Sequence, residues 1–183
     1  MNKHVFFCPP PRTLMGRGCR HELPALIAHL GWRRGLLITD RFFTIQTTWV
    51  QDHIAACREL GIEVVVFDGG EPDPSTTLCD QATLQVRAHL ANHPIDFVLA
   101  LGGGSNIDLA KALCLTVPTG ESIRAYSGTW PAHTQPLPLI ALPSSPGNVV
   151  PVREVEGREI YQSYIGSSAN PGFPCAGSAP GIA

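Results

Sequence analysis

Apolar and polar positions along this chain switch between two periods, and the switches mark out its elements. Gly35-Leu-Leu-Ile-Thr-Asp40, Ile62 to Asp68 and Phe97 to Leu101 are short apolar runs bounded by glycine or acids, which predicts buried strands. Leu137 to Pro143 predicts one more. Between these runs, apolar residues recur every three or four positions. Leu23, Leu26, Ile27 and Leu30 precede Gly31; Ile45, Trp49, His53 or Ile54, and Cys57 precede Gly61. A third such segment opens at Ser75 and runs to about Asn92 before Pro94, and a fourth carries Ile107, Ala110 and Leu113 or Cys114. The spacing predicts helices over 22–30, 44–60 and 75–92, and another from 105 onward. Ahead of them, His4 to Cys8 and Thr13 to Met15 flank Pro9-Pro10-Pro11, which predicts edge strands or a loose hairpin. Strands that alternate with helices of about four turns imply an α/β fold with a doubly wound, mostly parallel, Rossmann-like sheet.

Such sheets take ligands outside the carboxyl ends of their strands, where strand order reverses. Three points lie at such ends: Asp40, the loop Glu71-Pro-Asp-Pro74, and Gly102-Gly-Gly-Ser105. The glycines join a buried strand to a helix whose N-cap is expected at Ser105, with Asp108 completing a carboxylate form of the capping box. A glycine turn at a helix N-terminus lets an anion, above all a phosphate, approach bare backbone N–H groups. A tight turn that only needs glycine's backbone freedom has the same sequence. Asp40 can accept hydrogen bonds from ribose hydroxyls and repel a 2′-phosphate, or it can simply cap a helix. The acid precedes the glycines here, so this is not the G-x-G-x-x-G order.

Composition narrows the classes. Over 183 residues, 44% hydrophobic and 15% charged is a globular balance with room for little more than one domain. A net charge of −2 supplies no basic field for nucleic acid. No apolar run approaches the roughly 20 residues that span a bilayer, and Met1 to Pro9 lacks a secretory apolar stretch. The six cysteines are scattered without C-x-x-C pairing, so free buried thiols and a cytoplasmic location are expected. Other candidates are bland. His89 and His93 are spaced for one helix face but have no third ligand nearby. Asp108 and Lys111 read as an i,i+3 ion pair, Trp49 and Phe97 as core, and His133 as a loop residue.

Leu101-Gly-Gly-Gly-Ser-Asn-Ile-Asp-Leu-Ala-Lys-Ala112 resembles the glycine-rich signature of the iron-containing (group III) alcohol dehydrogenases. Leu37 to Asp40, Val66 to Gly69, Pro72 to Pro74 and Leu139 to Ser145 resemble that family's segments in the same order. The resemblance covers roughly residues 3–145. It implies an NAD-binding α/β domain over 1–145, like the N-terminal domain of dehydroquinate synthases. Carried over, Gly102, Gly103, Gly104 and Ser105 would hold the pyrophosphate. Asp40 would face the adenosine ribose and favour NAD over NADP, and Asp73 would lie by the adenosine half. Ser144 and Ser145 stand where the family has cofactor-contacting threonines. The implied activity is metal-dependent hydride transfer from a small-molecule alcohol to NAD.

Beyond Ser145 the resemblance stops. Gly, Pro and Ser fill 17 of the last 40 residues, so 146–183 is expected to be a disordered tail and not the family's helical metal-binding domain. The family's iron or zinc ligands lie in that domain, and a truncated or frameshifted chain is expected. The alternative function is a non-catalytic NAD-binding fragment without activity of its own. An apolar face normally covered by the helical domain, with Leu142 in it, is expected to be exposed, and a homo-oligomer is compatible with such a face.

Overall fold

The computed structural model describes residues 18–90, 93–126 and 136–144. After a 3₁₀ turn at Cys19–Glu22 the elements are α1 (Leu23–His29), β1 (Arg34–Ile38), α2 (Arg41–Ile45), α3 (Trp49–Glu59), β2 (Glu63–Phe67), α4 (Thr76–Leu90), β3 (Phe97–Gly102) and α5 (Gly104–Thr119). A second 3₁₀ turn at Ile123–Tyr126 precedes β4 (Leu139–Pro143). The four strands form one parallel sheet in the order β2-β1-β3-β4.

Alternation along the strands explains the layering. Leu36, Ile38, Val98, Ala100 and Ala141 pack with Ala82 and Val86 of α4 and Ile107, Ala110 and Leu113 of α5. Leu37, Phe97, Leu99, Leu101, Ile140 and Leu142 pack on the other side, with Leu23, Ile27, Phe43, Val50 and Cys57. Both faces of the sheet are therefore covered, and every residue of the central strand β3 is buried. Gly35 on β1 makes room for this packing. A Cβ there would collide with the Phe97 ring, which instead stacks on Trp32 at 5.4 Å.

Two polar devices tie the helices on the first face. Thr83 and Thr116 share a hydrogen bond of 2.6 Å across α4 and α5, both side chains being buried. Pro118, inside α5, has no N–H to offer the carbonyl four residues back. That carbonyl, Cys114 O, accepts from Leu137 N at 3.0 Å, and the chain enters β4 from there.

Several expectations need correction. The helix expected over 44–60 is two helices, broken at 46–48. Thr47 Oγ1 donates to Phe43 O at 2.8 Å and accepts from Trp49 N at 3.3 Å, giving the backbone a side-chain alternative to helical bonds. Ile45 consequently points out and is 68% exposed. Leu142 is buried, because Ile140 and Leu142 join the core that Phe43 and Val50 close, so it is no part of an exposed face. His93 lies past the last residue of α4, where its N–H donates to Leu90 O at 2.8 Å. The N-terminal strands, His133, Ser145 and the 146–183 tail lie outside the described residues. No described helix is long and apolar enough to cross a membrane.

Candidate functional site

β1 leads through α2 and α3 to β2 at one edge, whereas β2 leads through α4 on the opposite face back to β3. Strand order thus reverses between β1 and β3. Their carboxyl ends put Asp40 and Gly102 beside each other at the crevice that doubly wound sheets use for ligands.

The glycine turn is built around α5. Gly102 has φ +139°, a conformation that side-chain-bearing residues rarely adopt. Gly103 is the N-cap, extended and with no side chain to bond the first turn. The first intrahelical bond runs from Ile107 N to Gly103 O at 3.2 Å, so by helix geometry the N–H groups of Gly104, Ser105 and Asn106 face outward. A Cβ added at Gly104 would meet nothing within 4 Å, so the space beside Gly104 is open.

Ser105 is therefore not the cap. The helix begins one residue earlier, because extended Gly103 already ends the strand run, and Asp108 pairs instead with Lys111 at 2.8 Å. The Ser105 hydroxyl accepts from Asp73 N at 3.2 Å, tying the loop after β2 to the glycine turn. Asp73 is the one non-glycine with positive φ among the described residues, at 52°. Ser144 N donates to Gly102 O at 2.9 Å, placing Ser144 at the end of the β3–β4 ladder. Asp40 caps α2, with Oδ1 accepting from Phe42 N at 2.9 Å.

Asn106, a residue that no motif or spacing marks out, joins these parts. It is buried, and its Nδ2 donates to Asp40 Oδ2 at 2.7 Å and to Leu101 O at 3.1 Å. A Cβ at Gly70 would collide with Asn106 Oδ1, and one at Gly102 with Asn106 Nδ2. The paired glycines of the loop after β2 were the available signal, since such a pair lets another group approach backbone. Asp68, beside them, accepts from Thr44 Oγ1 at 3.0 Å.

A cavity of about 450 Å³ lies at the other end of the sheet, lined by residues that include Arg87, Leu90, His93, Ile95 and Leu137. Arg87 Nη1 there donates to the Val117 and Pro118 carbonyls at the end of α5. The crevice at the carboxyl ends gathers Asp40, Asn106 and the glycine turn, whereas this cavity has mainly apolar walls.

The profile of the iron-containing alcohol dehydrogenases matches residues 10–156. The chain belongs to the iron-containing alcohol dehydrogenase family. Among family relatives, it is 28% identical over 142 residues to the NAD-dependent methanol dehydrogenase of Bacillus methanolicus, covering 77% of this chain and 36% of that one. It is 31% identical over 137 residues to the 1,3-propanediol dehydrogenase of Citrobacter freundii, covering 74% and 32%. The sulfoacetaldehyde reductase of Bifidobacterium kashiwanohense, solved in complex with NAD+, superposes with a TM-score of 0.67 at 31% identity, over 82% of this chain and 39% of that one. The chain thus spans about a third of the length of the curated iron-containing alcohol dehydrogenases it matches.

Among the described residues, no three His, Cys, Asp or Glu side chains come together as a metal site. They do not fit the family's metal, and no step through one is assigned to them. The described thiols Cys57, Cys79 and Cys114 are free and buried, and Cys19 is buried as well. Burial pushes Cys57 up to about 11 and Cys114 to about 12, which keeps both protonated and inert.

Proposed function

We propose that this chain binds NAD across the carboxyl rim of its sheet, as the nucleotide-binding half of an NAD-dependent, metal-dependent alcohol dehydrogenase. The observation that carries the reading is the start of α5. Outward N–H groups and the positive end of a 16-residue helix stand before open space at Gly104, which suits a pyrophosphate. Asp40, fixed at the neighbouring strand end, retains lone pairs for the ribose hydroxyls of the adenosine half. Asp73 lies on the same rim, and Ser144 follows β4 beside Gly102; Ser145, next in the chain, is proposed as a further contact. NAD supplies the hydride acceptor; the residues of this chain bind and orient it. The relatives named for methanol and 1,3-propanediol support a small alcohol as the substrate class.

Titration calorimetry of the purified chain with NAD tests the reading. Gly103→Val, which puts a branched side chain where the pyrophosphate lies, is expected to abolish the binding heat. Unchanged affinity would show the glycines to be a turn only. Asp40→Gly is expected to raise NADP affinity relative to NAD, since two like charges about 4 Å apart near a surface repel by up to a few kcal/mol. Glycine is tolerated at an N-cap, so α2 should survive the change. A ratio that does not move would remove Asp40 from the ribose site. Acting alone, the 183-residue chain is expected to bind NAD without oxidising alcohols. NADH formation from primary alcohols that depends on added iron(II) or zinc would contradict that.

A further inference from the structure

We infer that Asn106 is a positioning residue for cofactor choice: it holds the Asp40 carboxylate in the one orientation that selects against a 2′-phosphate. The inference rests on the NAD reading above and adds to it the residue through which the glycine turn controls the acid.

Asn106 occupies the third helical position of α5, so its backbone N–H belongs to the anion-binding turn while its side chain runs down into the crevice. The side chain is 3% exposed. Both hydrogen bonds of its Nδ2 go to oxygen acceptors, Asp40 Oδ2 at 2.7 Å and Leu101 O at 3.1 Å. Two acceptors fix which end of the amide is nitrogen, because an oxygen there would face both of them. Gly70 and Gly102 wall the amide on two sides, and a side chain at either position would drive it out. The amide thus sits in a slot that the two glycines leave open, held there by its two hydrogen bonds.

Asp40 receives one bond from within its own helix, Phe42 N to Oδ1 at 2.9 Å, and one from 66 positions away in the sequence. The first bond alone leaves the carboxylate free to swing about it. The second pins Oδ2 toward β3 and the glycine turn. A bidentate arrangement on a neighbouring ribose needs the carboxylate plane fixed, and a charge-assisted bond from a buried donor does that. Removing the donor should leave Asp40 charged but mobile, so that it can turn away from a 2′-phosphate it would otherwise repel.

The experiment is a double-mutant cycle read as the ratio of NAD to NADP affinity, by calorimetry on the full 183-residue chain. Asn106→Ala is expected to lower that ratio roughly tenfold, the loss of one hydrogen bond to a charged group. Adding Asn106→Ala to Asp40→Gly should change the ratio no further. Asn106→Ser is the second variant: it suits the first turn of a helix, fills more of the slot and is too short to reach Asp40, so the same fall is expected if the alanine variant does not fold. A structural role alone would weaken both cofactors equally and leave the ratio where it was; that result, with Asp40→Gly still moving it, overturns the inference and spares the NAD reading. Absence of NAD binding by the parent chain overturns both.

Discussion

Single residues set the limits on what this site tolerates. Gly102 and Gly104 are neighbours in the same turn with opposite demands. Gly102→Ala must adopt φ +139° and displace Asn106, and should cost about 1–3 kcal/mol. Gly104→Ala meets open space on a helix and should leave stability within about 1 kcal/mol of the parent. Thermal melts of the two variants check this, and equal losses would mean the turn is not the one described. His53 sets a different limit. Burial, reinforced by the Arg20 and His21 charges and opposed by Asp52, lowers its pKa from 6.5 to about 4. The unfolded chain therefore binds this proton more readily. The stability from a neutral His53 is fully present above pH 6.5 and is lost as pH falls toward about 4, by up to about 3 kcal/mol. Urea midpoints measured across that window should fall, and should fall less in His53→Leu.

At the scale of elements, the sequence was most readable where period and punctuation agreed. The buried run at Phe97, the cap at Ser75, whose Oγ accepts from Leu78 N at 3.1 Å, and the stops at Gly31 and Gly61 all stand where the pattern puts them. It was misleading where side chains compete with the backbone. Thr47 splits one periodic stretch into α2 and α3, and Ser105 looks like a cap but bonds a residue 32 positions away. Apolar spacing records neither, since both depend on where a hydroxyl finds its partner. The Thr83–Thr116 pair gives a test of such polar contacts. Thr83→Val removes this bond, while the Thr116 hydroxyl keeps its bond to Ala112 O at 3.2 Å, and should cost about 0.5–1.5 kcal/mol. The double variant with Thr116→Val should recover much of that. Additive losses in denaturant melts would show that the pair is not coupled.

For the molecule as a whole, the parallel, doubly wound arrangement was legible because it follows from alternation of element types. The candidate site was half legible. Gly102 to Ser105 and Asp40 stood out as strand-end residues, but their connection through Asn106 required the β1–β3 pairing that folds two distant segments together. The same pairing places the crevice at one end of the sheet and the apolar-walled cavity at the other. Locating the ligand between these two ends tests the account most directly. In an NMR titration of isotope-labelled chain with NAD, the amide resonances of Gly103, Gly104, Ser105 and Asn106 should shift first and furthest, with Asp73 and Ser144 following. Shifts concentrated at Leu90, His93, Ile95 and Leu137, with the glycine turn unmoved, would contradict it.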